Sequence, residues 1–267
     1  MLNSIAASLR TVRERNPLVQ AITNYVTIND CANILICFGA APAMCEAKTE
    51  VEEFVGLVSA LYINLGTLTE EQYEASVLAV KAATRLNKPV VLDPVACGAI
   101  SRRAKLVQEL TAVGKITAIK GNMGEIKSLA GFAAKTRGVD SLDDGLDGVE
   151  ACISLARKYN TIVAATGATD IITDGERTCL VDNGVPLLTR ITGAGCMLGA
   201  LTAAAVGACE DKFTAVVASI VAMGLAGEMA AKAVQQELPG SFRVKLFDSM
   251  YCMTEEDILK GGKVRCL

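Results

Sequence analysis

Histidine is missing from all 267 residues. That absence removes Ser-His and Cys-His nucleophile pairs and every zinc site built on imidazole. A base must come from Asp, Glu, Lys, Tyr or Cys, and a bound metal would be a hard ion on oxygen ligands. A basic excess is missing too. The 26 Lys and Arg stand against 29 Asp and Glu, with no long Lys/Arg run, so there is no electrostatic case for nucleic acid. Apolar runs such as Phe213 to Gly227 are short for a bilayer and follow Glu210, Asp211 and Lys212, so no membrane span is expected. Arg10, Arg13, Glu14 and Arg15 stand where a signal peptide needs an apolar core, which makes the cytoplasm the expected location. No repeat, low-complexity tract or linker divides residues 1–267, and one domain is expected.

The ten cysteines are scattered and never form CxxC. They read mostly as small buried hydrophobes.

What the chain does have is a series of nearly continuous apolar runs: Leu18 to Ile22, Leu61 to Leu65, Pro89 to Leu92, Ile116 to Ile119 and Thr161 to Ala165. Continuous runs imply strands covered on both faces, hence an α/β protein with a mostly parallel central sheet. Helices are expected over 3–15 and 28–38, the latter closed by Gly39, and from a capping box at Thr69 and Gln72. Asp174-Gly175 between two apolar runs predicts a hairpin. After the Gly-rich turn the remainder reads as helical, at about 195–208, 213–236, 240–252 and 254–260, and Gly/Asp-rich 138–148 as a mobile loop.

Polar residues collect where these strands end: Thr23-Asn24, Gly66-Thr67, Asp93-Pro94, Lys120-Gly-Asn122 and Thr166-Gly167. Ligands of open α/β sheets bind outside the carboxyl ends of the strands. After them comes Thr192-Gly-Ala-Gly-Cys196, opening a small-residue apolar segment that reads as a buried helix. Such a turn leaves the backbone N–H groups of Gly193, Ala194, Gly195 and Cys196 around one point, with the positive end of the helix dipole behind them. Cys196 stands in the first turn of that helix, in the same field. Phosphoryl transfer would use these parts. Asp93 and Glu125 could hold Mg²⁺, Lys120 could meet a phosphate, and the amides could take charge on the transferred group. On residues alone, the blander readings stay open: a tightly packed helix start, a turn at Asp93-Pro94, a helix cap at Asn122 and Glu125, and Met44 as a gap-filler.

Seven blocks stand in order: Ile22-Thr-Asn24 with Ala32-Asn33, Gly39 to Met44, Ile63 to Thr67, Leu92 to Val95 with Gly98-Ala99, Lys120 to Glu125, Ala165 to Gly167, and Thr192 to Cys196. Together they resemble the hydroxyethylthiazole kinases of the ribokinase-like superfamily, along nearly the whole chain. The resemblance implies a three-layer α/β/α domain and ATP-dependent phosphorylation of the primary alcohol of 4-methyl-5-(2-hydroxyethyl)thiazole, in thiamine salvage. It implies a homotrimer with sites between subunits. Met44, Asn24 and Gly193 would meet the thiazole, and Lys120, Thr166 and Asn122 the ATP. Asp93 and Glu125 would serve Mg²⁺, while Cys196 occupies the place of the superfamily's Asp base. Lys120 stands where Arg is commoner, and Ala194 where Thr is usual. A kinase of another heterocyclic alcohol, such as a hydroxymethylpyrimidine, and a nucleotide-binding regulatory relative without turnover are the alternatives.

Overall fold

The apolar runs become the strands of one sheet in the computed structural model, which describes residues 1–132, 144–234 and 238–267. In chain order the elements are α1 (Leu2–Arg15), β1 (Leu18–Ile22), α2 (Ile28–Phe38), β2 (Ala41–Ala43), α3 (Val51–Leu57), β3 (Ala60–Asn64) and α4 (Glu70–Arg85). Next come β4 (Val90–Asp93), α5 (Ser101–Val113), β5 (Ala118–Asn122), α6 (Met123–Ala130), α7 (Asp144–Tyr159), β6 (Ile162–Thr166), β7 (Asp170–Thr173) and β8 (Thr178–Val181). A 3-10 turn (Pro186–Arg190), α8 (Ala194–Ala208), α9 (Lys212–Ala233), α10 (Pro239–Cys252), α11 (Glu255–Gly261) and β9 (Val264–Cys266) complete the described chain.

The sheet runs β2-β1-β3-β4-β5-β6-β7-β8-β9. Pairing is parallel from β2 through β6 and antiparallel from β6 through β9. Side chains alternate across it with a period of two. Leu61 and Ile63, Leu92, Ile119, Val163 and Ala165 pack with α3 to α7, whereas Ala60 and Tyr62, Val91, Ala118 and Ala164 pack with α1, α2 and α8 to α11. Two apolar cores therefore sandwich the sheet, giving three layers. α8 and α9 are buried on every face, as expected of helices at the centre of a layer. α9 is long and apolar enough to cross a membrane, but 89% of its apolar window is buried inside the protein.

Two expectations are corrected here. The 138–148 loop falls partly outside the described residues, and from Asp144 onward the chain is helix α7. The remainder after the Gly-rich turn is not helical alone, because past the helix expected over 254–260 Val264–Cys266 forms β9. Cys266 faces Cys179 across β8 and β9 and is bonded to it. The reading of cysteines as small buried residues suits Cys31, Cys97, Cys152 and Cys209. It misses this pair, 87 residues apart in sequence, because only the pairing of β9 makes them neighbours.

Candidate active site

Strand alternation builds the site. Asn64 shares the face of Tyr62, Asp93 that of Val91 and Lys120 that of Ala118, so all four side chains project toward α8 from the carboxyl ends of adjacent strands. They are buried.

Above them α8 begins. Its N-cap is Gly193, at φ 85°, a conformation glycine adopts without strain. A Cβ there would stand 2.5 Å from Thr27 Cγ2, so the position is closed to side chains. No side chain caps the helix, and its first backbone bond runs from Met197 N–H to Gly193 O at 2.8 Å. The N–H groups of Ala194, Gly195 and Cys196 therefore lack intrahelical partners and can face an anion.

Polar side chains bind this helix start to the sheet. Lys120 Nζ donates to Asp93 Oδ2 at 2.9 Å and to Gly195 O at 3.0 Å. Burial works against its ammonium, but attraction and hydrogen bonding to Asp93 outweigh that and hold its pKa above the ordinary lysine value. Tyr62 Oη donates to Cys196 O at 2.9 Å and lies 3.3 Å from Asp93 Oδ2. Burial, with the Asp93 charge adding, pushes the Tyr62 phenol well up, so it stays protonated. The helix can approach this closely because residue 199 is glycine; a Cβ there would lie 2.5 Å from the Tyr62 oxygen. Cys196 Sγ accepts from Asn24 Nδ2 and from Asn64 Nδ2, each at 3.3 Å.

Of the residues singled out from sequence, Asn24, Asp93, Lys120 and Gly193 to Cys196 thus fall into one connected cluster. Both N–H groups of Asn24 are engaged inside the protein. Asn122, Glu125 and Thr166 form a second group at the ends of β5 and β6. Asn122 Oδ1 accepts the Glu125 N–H at 2.9 Å, and Glu125 Oε2 accepts the Asn122 N–H at 2.8 Å, a capping box for α6. Glu125 Oε1 accepts the Ala96 N–H at 2.8 Å, tying α6 to the loop after β4. Burial raises the Glu125 pKa above the ordinary carboxylate value, with the Asp93 charge adding to it. Thr166 Oγ1 donates to Gly121 O at 3.3 Å. Met44 lies just past β2 and packs on the same apolar cluster as Cys196. Among the described residues no three Cys, Asp or Glu converge as a metal cluster. Asp93 and Glu125 lie near enough for the charge of Asp93 to act on the Glu125 carboxyl, and two neighbouring carboxylates are a donor chemistry that suits Mg²⁺ when phosphates and water complete its shell.

Sequence reasoning missed Tyr62 and Asn64. Their signal was present: in the run from Ala60 to Asn64 the polar groups fall on alternate residues at the carboxyl end of the strand.

It also passed over Asp170, at the start of β7. Its Oδ1 accepts the Gly167 N–H at 3.0 Å, closing the turn beyond Thr166. Burial pushes this carboxyl up to about 7, with the Gly167 bond and Lys120 opposing and Asp182 adding. The native chain thus holds the proton more tightly than the unfolded chain, whose value is about 3.9. That stability is fully present below about pH 4 and is lost as pH rises through about 7. Asp170→Asn keeps the acceptor oxygen and removes the charge. It is expected to flatten this window and to add ~1–2 kcal/mol at pH 8, after discounting for solvent screening of a half-buried group. Urea unfolding at pH 5 and pH 8 measures it, and an undiminished pH dependence in the variant would refute it.

The sequence model of the hydroxyethylthiazole kinase family matches residues 9–256. The hydroxyethylthiazole kinase of Clostridium novyi strain NT is 55% identical over 265 residues, covering 99% of either chain. The solved hydroxyethylthiazole kinase protein from Pyrococcus horikoshii OT3 superposes with a TM-score of 0.90 at 41% identity, over 98% of both chains. A ribokinase-like superfamily protein from Enterococcus faecalis V583 covers 89% of this chain and 87% of its own, at TM-score 0.60 and 12% identity, which shows the shared fold alone. With the family's pattern running through most of the sequence and its relatives matched over nearly their full length, the chain belongs to the hydroxyethylthiazole kinase family.

Proposed function

We propose that this protein transfers the γ-phosphoryl group of ATP to the primary alcohol of 4-methyl-5-(2-hydroxyethyl)thiazole, a salvage step toward thiamine. The observation that carries the reading is the uncapped start of α8, where three amides without intrahelical partners stand beside Cys196 and above the buried Lys120 and Asp93. The amides of Ala194, Gly195 and Cys196 face the transferred group and stabilise the charge spread over its oxygens. Cys196 stands where the acceptor hydroxyl is presented and takes its proton as the alcohol oxygen attacks phosphorus. Lys120 offers its ammonium to the phosphates, and Thr166 and Asn122 border the nucleotide at the ends of β6 and β5. Met44 and the Asn24 segment wall the thiazole. Asp93 and Glu125 would hold Mg²⁺, which when bound neutralises phosphate charge.

The segment after Asn24 supports a site shared between copies, since Tyr25 and Val26 are exposed beside it. The reading includes a homotrimer with sites between subunits, as the family resemblance implies, and a cytoplasmic location.

Incubating the purified chain with ATP, Mg²⁺ and each candidate alcohol tests the assignment. Phosphorylated thiazole is the expected product, lost when EDTA removes the metal. Turnover of a hydroxymethylpyrimidine in its place would reassign the substrate, and no product from any alcohol would leave only a nucleotide-binding protein.

A further inference from the structure

We propose that Asn64 is a positioning residue that, together with Asn24, holds the Cys196 sulfur as a hydrogen-bond acceptor with its free side turned to the substrate alcohol. The inference rests on Cys196 standing beside that alcohol and goes on to say what sets the sulfur in place.

The argument is an allotment of hydrogens. A side-chain amide has an accepting end and a donating end that only its partners can tell apart. Here backbone N–H groups, which can only donate, identify both. Asn64 Oδ1 accepts the Gly66 N–H at 2.9 Å, and Asn24 Oδ1 accepts the Thr27 N–H at 3.1 Å. Both NH₂ groups are thereby turned to the other side. Asn24 Nδ2 divides its hydrogens between Asn64 Oδ1 at 3.0 Å and Cys196 Sγ at 3.3 Å. Asn64 Nδ2 divides its own between Tyr62 Oη at 3.0 Å and Cys196 Sγ at 3.3 Å. All four hydrogens are placed, and two point at the sulfur.

Neither asparagine can turn away. Asn64 is 2% exposed and Asn24 4%, and Gly66 packs so closely that a Cβ on it would lie 2.8 Å from Asn24 Cβ and 3.0 Å from Asn64 Oδ1. A sulfur that takes two N–H donors from below cannot direct a proton of its own at them, so any S–H must point to the open side. The same two donors stabilise negative charge on the sulfur, since hydrogen bonds to a charged acceptor are the stronger ones. In the transfer step the sulfur acts without its own proton, as the thiolate: the alcohol O–H bond breaks as S–H forms. The alcohol oxygen bonds to the γ-phosphorus as the β,γ-bridging P–O bond breaks, and ADP leaves with that electron pair.

A double-mutant cycle tests the role. Asn64→Ala is expected to lower kcat roughly tenfold or more, the worth of one hydrogen bond to a charged group, with KM for ATP held. In a Cys196→Ala background the same substitution should cost nothing further. Asn64→Asp keeps the oxygen that Gly66 and Asn24 donate to but turns a second oxygen on the sulfur. It should repeat the fall, and so carries the test if the alanine variant does not fold. Equal falls in both backgrounds would overturn the role of Asn64 while leaving Cys196 in the mechanism. A Cys196→Ala protein that turns over like the parent would overturn both.

Discussion

Cys196→Ala is expected to lower kcat by about 10²-fold or more, the usual worth of a positioned proton acceptor, with little change in KM for ATP. The split follows from geometry. The alanine keeps its backbone N–H in the first turn of α8, so the anion site survives, and Lys120 still reaches Gly195 O. What is gone is the sulfur that the proposed function makes the acceptor of the alcohol's proton. Cys196→Asp should retain activity, because a carboxylate can accept the same proton and can receive the two amide donors of Asn24 and Asn64 that the sulfur now takes. Steady-state kinetics of the three proteins at saturating Mg²⁺ decide the matter. An alanine variant as fast as the parent would leave the amides to carry the rate alone.

The second large effect concerns the buried pair. Asp93→Ala strands the Lys120 ammonium, and Lys120→Met strands the Asp93 carboxylate; each is expected to cost about 3–5 kcal/mol of stability. Replacing both, Asp93→Leu with Lys120→Met, removes the stranded charge and should recover most of that loss, since an apolar pair of similar volume is often neutral. Turnover should not recover. The double variant lacks the tie from Lys120 to Gly195 O, together with the cation and one of the two carboxylates that the proposed function assigns to the phosphates and the metal. Denaturant unfolding and turnover on the three proteins separate the two contributions. If the double variant were as active as the parent, the pair would be scaffold and nothing more.

Much of the fold was legible because its physics is local. The apolar runs at 18–22, 61–65 and 161–165 are covered on both faces, and burial of that kind leaves a sequence trace that needs no knowledge of neighbours. The glycines at 193 and 195 before a small-residue helix declare an uncapped, closely approached helix start. The capping box at Asn122 and Glu125 was legible as a cap. What stayed hidden depends on which strand lies beside which. Asp93 and Lys120 are 27 residues apart, and nothing in either segment says that β4 and β5 will be adjacent. The alternation of Tyr62 and Asn64 shows that they share a face, but that this face meets Cys196 is visible only once the sheet and α8 are assembled. The bond between Cys179 and Cys266 is hidden for the same reason, since it needs a short strand, β9, that the sequence does not announce.

Both outermost strands, β2 and β9, are only three residues long. In β2 the Ala41 N–H is spent inward on Pro17 O, so the alternation of the strand puts the ring nitrogen of Pro42 on the rim, where no hydrogen is available to donate. On the opposite rim the terminal strand is covalently stapled to its inner neighbour. A visiting strand finds little template on either side. With rims this short, the sheet is poorly suited to seed a continuous ribbon between molecules.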